Sequence, residues 1–364
     1  MMNDLVNRVI ELAVQIQQIP GPTFHEGKRA EFVSQLFFDE KLQDVCIDEM
    51  GNVLARLPGK GRQNPLIVSA HMDTVFPLET NLHIRRDPEL IYGPGLGDNS
   101  LGVAALFGLI WSLREREIPL HGDVWFVANV GEEGLGNLSG MKTVVARFGA
   151  NVHAYLVVEG LALGHVYHRA VGVKRYRVSA RTTGGHSWSD YGQPSAIHEL
   201  ARLIVQLTSL ILPTHPRTTM NVGKISGGTS VNVIASEASF DLDLRSEGQE
   251  SLAELVSAAE KLIHHANRPG VSIEAEVIGQ RPAGEISPNH PLVMLAKNCL
   301  QEQGLDAGLI SGSTDANMPL SKGYPAIVLG VTTGGSAHTI HEFIHIRPIR
   351  QGLEQLVSFV SKVW

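Results

Sequence analysis

Four short apolar runs, "NVLARL", "PLIVSAH", "DVWFVANV" and "AYLVVEG", recur between residues 50 and 160, with the helical stretch "SLGVAALFGLIWSLRE" set among them. Strands alternating with a helix leave few architectures open. The reading that fits is α/β, a mixed, largely parallel sheet with flanking helices. In sheets of that kind ligands gather at the carboxyl ends of the strands, so chemistry is to be sought where the apolar runs stop.

The texture changes from about Gly172 to Gly284. Strand "VKRYRVSAR", helix "SAIHELARLIVQLTSLI", strands "TTMNVGKISG" and "SVNVIASEASFDLDLRS", helix "ESLAELVSAAEKLIHHA" and strand "VSIEAEVIG" give β-α-β-β-α-β, the order of a ferredoxin-like α+β module. After "AGEISPNHP" the alternation resumes with helix "PLVMLAKNCLQEQG", a turn at "SGSTDANMP", strand "YPAIVLGV" and helix "IRQGLEQLVSFVSKVW". At 364 residues the chain is long enough for two domains. The pattern places residues 1–170 and 285–364 in one discontinuous domain and 171–284 in an inserted one.

Composition narrows the partners. A formal net charge of −7 offers no basic excess for a phosphate backbone, which argues against nucleic acid. Two cysteines, Cys46 and Cys299, build neither a disulfide framework nor a thiolate metal site, and a reducing, cytoplasmic setting fits them. The first residues lack a basic n-region, and Leu5, Val9, Ile10, Leu12, Ala13 and Ile16 fall at helical spacing, predicting an amphipathic helix ended by Pro20. The apolar run Leu101 to Leu113 is too short to span a bilayer, so no membrane partner is expected. A G-x-S-x-G elbow, a G-x-x-x-x-G-K-[ST] loop and a complete dinucleotide fingerprint are all missing from the sequence, which sets aside serine hydrolases and nucleotide chemistry.

Five elements at strand ends carry metal-binding side chains. His71 and Asp73 stand two apart and so share a strand face, though alone they fit an ordinary hydrogen-bonded pair. Asp98 lies between a glycine-rich loop and the apolar helix, where it also suits an N-cap. Glu132 and Glu133 sit side by side in "VGEEGLG", with no lysine or arginine following until Lys142. Leaving an extended segment in opposite directions, one can hold a cation while the other acts as a base toward a bound water. Glu159 ends "AYLVVEG", and "VTTGGSAHTIHEFIHI" offers His338, His341 and His345. Singly each has a bland surface reading. Together they are the donor set of hard or borderline divalent metals, in a number that suits two zinc-like ions sharing a carboxylate.

The order H-x-D-T at His71 and Asp73, G-x-x-x-x-D-N-x-x-G from Gly93 to Gly102, G-E-E-G from Gly131 to Gly134, an acid after a hydrophobic strand at Glu159, and G-x-x-H from Gly335 to His338 resembles the M20 metallopeptidase family over essentially the whole chain. The resemblance implies that His71, Asp98 and Glu159 are metal ligands, with Asp98 bridging to a second ion held by Glu133 and His338. His341 is the fallback for the late ligand. It makes Glu132 the general base and Asp73 a second carboxylate that orients His71, and it implies a cis peptide between Asp98 and Asn99. In the inserted domain it implies that His186 in "TTGGHSW" reaches the active site of a partner subunit, and that Asn232 and Arg245 contact substrate. Gly312, Ser313 and Thr314 resemble a substrate loop of the catalytic domain. The inserted domain then serves as a lid and mediates a homodimer.

The activity implied is hydrolysis of amide bonds in small peptides, by exopeptidase action, with two divalent ions, Zn2+ ahead of Co2+ or Mn2+, and a bridging water deprotonated by Glu132. Glu at position 159 follows the deacylases and carboxypeptidases of this kind, whereas "GEEGLG" and "STDAN" look closer to the peptidases. The alternative substrate is therefore an N-acyl amino acid. A ligand-binding homologue that lost the chemistry is a poorer fit, because the ligand set and Glu132 are all present.

Overall fold

Residues 2–364 are described by a computed structural model, in which the apolar runs become the inner strands of a mixed sheet. Across that sheet the strands are Gln43–Ile47, Val53–Leu57, Gly122–Asn129, Gln63–His71, Ala154–Glu159, Ala326–Gly330 and His165–Ala170, with Gly308–Gly312 also paired on His165–Ala170. Gly122–Asn129, Gln63–His71, Ala154–Glu159 and Ala326–Gly330 run parallel to one another, and antiparallel pairs flank them. Parallel strands are covered on both faces, which is why they read as unbroken apolar runs: Leu66, Ile67, Val68, Leu156, Val157, Ile327 and Val328 are all fully buried. Their common direction brings His71, Asn129 and Glu159 to one edge, with His71 in register with Asn129.

Helix Leu101–Glu115 is apolar nearly all round because it is enclosed, packing on Gln63–His71 and on helices Met2–Gln17 and Ile349–Lys362. Together with the turn ahead of it, Leu96–Glu115 has the length and composition of a bilayer span, but most of it is buried inside the protein as a core helix. The first helix stops at Gln17, short of Pro20. Helix Gly27–Asp39 and strand Gln43–Ile47 extend the sequence reading. So does a small antiparallel sheet of Arg85–Arg86, Leu90–Tyr92, Phe343–His345 and Gly334–Gly335, which ties the segment before Asp98 to the loop bearing His338. The turn expected at "SGSTDANMP" is instead the end of strand Gly308–Gly312 and a short helix, Asn317–Ser321.

By its internal contacts the chain divides into two compact units, residues up to Ala170 with Glu285–Trp364, and Val171–Gly284. The second is an antiparallel sheet in the order Thr218–Gly227, Glu237–Ser246, Gly172–Thr182, Val271–Arg281, with helices Ala196–Thr208 and Gln249–His265 packed against it. Tyr176, Val178, Leu200, Leu203, Phe240 and Leu242 lie in its separate core. The long strand expected from "SVNVIASEASFDLDLRS" is broken: Val233–Ile234 pairs with Gly185–His186, and Glu237–Ser246 alone joins the sheet.

Candidate metal centre

Parallel strands deliver His71, the Glu132–Glu133 loop and Glu159 to one sheet edge, and the loop before helix Leu101–Glu115 carries Asp98 to them. Asp98 does not cap that helix. Its backbone is non-helical (φ −116°, ψ 90°), the peptide to Asn99 is cis, and its carboxylate divides between two imidazoles. Oδ1 lies 3.1 Å from His71 Nε2 and Oδ2 lies 3.0 Å from His338 Nε2. Glu159 Oε2 is 3.7 Å from His71 Nε2, and Glu133 Oε1 is 3.0 Å from His338 Nε2. Two groups, His71–Asp98–Glu159 and His338–Asp98–Glu133, therefore share one carboxylate.

The charges show what such a cluster lacks. Burial disfavours the His71 cation, yet Asp73, Asp98 and Glu159 together hold its pKa well above that of an ordinary imidazole. Asp98 and Glu133 raise His338 to about 10. Burial opposes ionisation of Asp98, but the two imidazoles pull it well below the usual carboxylate range. Burial raises Glu159, and His71 only partly offsets this. Carboxylates crowded at this edge call for positive charge.

The residues fit divalent cations. With bonds of about 2.0 Å, neighbouring donors of a tetrahedral site stand roughly 3.3 Å apart. The separations here, from 3.0 to 3.7 Å, bracket that spacing. Donor atoms of His71, Asp98 and Glu133 lie within 4.8 Å of one another. Glu133 Oε1 is buried without an aligned hydrogen bond although His338 is 3.0 Å away, a geometry that a cation between them satisfies. Imidazole and carboxylate donors without thiolate suit zinc, cobalt or manganese.

Asp73, fully buried, grips both sides of the site. Its Oδ1 is 3.5 Å from His71 Nδ1, and its backbone carbonyl is closer, at 3.0 Å. The same carboxylate accepts the amides of Glu132 (3.0 Å) and Glu133 (2.9 Å) and the Thr23 hydroxyl (2.9 Å). Glu342, outside the sequence-derived set, accepts the amides of Gly95, Gly97 and Asp98 at 3.0, 2.6 and 3.0 Å. Burial, reinforced by the Asp98 charge, pushes its carboxyl up to about 7. Asn99 bonds the Val158 carbonyl and the Gly160 amide, fastening the Asp98 loop to the strand that ends in Glu159. Asp315, inside "STDAN", is fully buried, accepts from Asn129 Nδ2 at 2.6 Å, and is raised by burial to about 7. In the sequence Glu342 stands four residues after His338.

Of the three late histidines, His338 meets the carboxylates. His341 is exposed, and His345 Nδ1 lies 3.0 Å from the Thr333 hydroxyl. Gly312 ends its strand where a side chain would collide with Tyr167, and Ser313 follows it. The Thr314 amide donates to Asn317 and its hydroxyl accepts from Ala316. In the second unit His186 and Asn232 are neighbours, since the Ser187 amide bonds the Asn232 carbonyl at 3.0 Å. Arg245 pairs with Asp243 at 2.6 Å and sits beside Val173, at the other end of the sheet from Thr182 and His186. Strand Gly172–Thr182 has 11 residues. At about 3.3 Å per residue, His186 and Arg245 are separated by roughly 30 Å.

Comparison with known proteins gives the same picture. Residues 67–362 match the model of peptidase family M20/M25/M40. The putative succinyl-diaminopimelate desuccinylase DapE of Mycobacterium tuberculosis is 24% identical over 367 residues, covering 99% of this chain and 100% of that protein. A tripeptidase from Staphylococcus aureus superposes with a TM-score of 0.84 at 23% identity, over 98% of each chain. The Bacillus subtilis YXEP protein, described as a dinuclear metal binding peptidase from the M20 family, superposes with a TM-score of 0.72 at 15% identity, over 99% of this chain and 98% of that one. The structural likenesses establish the fold, and the family match covers most of the chain: it belongs to the M20 peptidase family and is an enzyme of the M20 type.

Proposed function

We propose that the protein is a dinuclear metal-dependent exopeptidase that hydrolyses amide bonds of small peptides. The observation that carries this reading is the Asp98 carboxylate, shared between one imidazole–carboxylate pair and another. Likeness in fold to a tripeptidase and to a dinuclear peptidase supports it. His71, Asp98 and Glu159 would hold one cation and His338, Asp98 and Glu133 the other; bound there, such ions supply Lewis acidity toward a carbonyl and acidify water. Glu132 takes the proton from the attacking water and delivers it to the leaving amine. Asp73 fixes the His71 ring and, through the amides of residues 132 and 133, the direction of both glutamates.

Residues 171–284 act as a lid in this account, with Arg245 as the fork for the carboxylate of one substrate and Asn232, the neighbour of His186, contacting the substrate of the partner subunit. One small substrate does not span the roughly 30 Å between His186 and Arg245 of one lid. That separation supports His186 serving the partner of a homodimer. The loop of Gly312, Ser313 and Thr314 completes the substrate side, and the two cysteines support a reducing, cytoplasmic setting.

A second reading, N-acyl amino acid deacylation, is favoured by Glu159 and by likeness to the desuccinylase along nearly the whole chain. A panel of di- and tripeptides set against N-acetyl and N-succinyl amino acids, with zinc supplied and with chelator, separates the two. Chelator-sensitive release of amino acids from peptides supports the first reading. Turnover confined to the acylated amino acids supports the second. Chelator-insensitive turnover contradicts both.

A further inference from the structure

The tandem glutamates follow the end of a strand, yet the backbone amides there are buried and each needs an acceptor. Four successive N–H groups are taken by side chains from three distant segments. Val130 donates to Asn52 Oδ1 at 3.1 Å, Gly131 to Glu26 Oε1 at 3.1 Å, and Glu132 and Glu133 to Asp73 at 3.0 and 2.9 Å. Asp73 belongs to the site already described; Glu26 does not. It precedes helix Gly27–Asp39 and is only 6% exposed. The same helix carries Arg29, a fully buried guanidinium that bonds the carbonyls of Ile19 and Met72 and whose charge acts on both Asp73 and Glu26. Gly131 itself is left-handed (φ 65°), and a side chain there would strike Ser139. The turn into the glutamates is thus closed on one side by Ser139 and anchored on the other by the Glu26 carboxylate.

We infer that Glu26 is a positioning residue which, by holding the Gly131 amide, aims Glu133 at its cation and Glu132 at the reacting water. The inference rests on the dinuclear reading above. What matters is the reach of an acceptor oxygen rather than its charge, because burial first, and then the charge of Asp73, which already accepts the next two amides, disfavour an anion at Glu26. Glu26→Gln keeps the oxygen within reach. Glu26→Asp keeps the charge but is one bond of about 1.5 Å shorter, which opens the 3.1 Å contact beyond hydrogen-bonding distance.

The test is calorimetric titration of metal-free, full-length protein with Zn2+, beside steady-state hydrolysis of the best substrate. Wild type should bind two ions, and Glu26→Gln should match its affinities and kcat within about threefold. Glu26→Asp and Glu26→Ala should weaken one ion by roughly 10- to 100-fold and lower kcat by a similar factor with KM nearly unmoved. His338→Ala identifies the weakened ion as the one on the Glu133 side. Retention of both ions and of kcat in Glu26→Asp overturns the inference, as does a Gln variant that fails where Asp succeeds, or equal weakening of both ions. If Glu26→Ala does not fold, Glu26→Asp decides. A wild type that binds no pair of ions refutes the dinuclear reading instead.

Discussion

Glu342 offers the sharpest test of how Asp98 is held. Its buried carboxylate takes three amides from the loop Gly95–Asp98, two on Oε1 and one on Oε2. In Glu342→Gln the oxygen facing Gly97 and Asp98 survives, while an amide group replaces the one facing Gly95. That contact turns from bond to donor–donor clash, worth about 1.5–3 kcal/mol for a charged acceptor. Relief from burying a charge, the cause of the carboxyl's rise to about 7, offsets part of it, leaving a net loss of roughly 1–2 kcal/mol. Glu342→Ala leaves all three amides without acceptor and opens a cavity, for a loss of about 4 kcal/mol or more. At roughly 2 °C per kcal/mol for a domain of this size, the Gln variant should melt about 3 °C below wild type and the Ala variant about 8 °C below. Thermal unfolding of metal-free protein reads both values, and Zn2+ should raise the Ala variant's Tm less than the wild type's because Asp98 is no longer aimed. Equal melting of all three proteins, or Gln melting below Ala, refutes the reasoning.

Other outcomes follow from the same geometry. Glu132→Gln should bind two cations as wild type does while kcat falls by about 10²–10⁴-fold, as removal of a general base requires; unchanged turnover contradicts that role. His338→Ala should lose one of the two ions and His341→Ala neither, as read by elemental analysis after dialysis. In the unit Val171–Gly284, burial opposes the charge of Asp243, but Arg245 and Arg175 hold its pKa below the ordinary 3.8. A depressed carboxylate contributes stability above its unfolded pKa and loses it as pH falls through the folded value, so this unit should weaken below about pH 4. Asp243→Asn should flatten that acid limb in a circular-dichroism titration, and an unchanged limb would assign acid unfolding elsewhere.

The sequence shows the edge that carries the site clearly because three of the four parallel strands are apolar runs that end at a polar group. His71 and Glu159 are the last residues of their strands, and the glutamates of residues 132 and 133 follow a third. The inserted module is legible for a similar reason, since its helices and strands are long enough to show their periods. What supports the site is not. Glu26, Asn52 and Glu342 act on loops far from them in sequence, and a lone buried acid carries no local pattern. The small sheet that fastens the Asp98 and His338 loops is made of strands two or three residues long, too short for alternation to register. Asp98 read equally as an N-cap because a carboxylate before an apolar helix suits both roles; two imidazoles from opposite ends of the chain decided its orientation.

The most direct test of the account is anomalous diffraction from crystals of the protein grown with Zn2+. Two peaks are predicted, one on either side of the Asp98 carboxylate, the first against His71 and Glu159 and the second against His338 and Glu133. A single peak, or a pair away from Asp98, would contradict the shared-carboxylate centre on which the proposed chemistry depends.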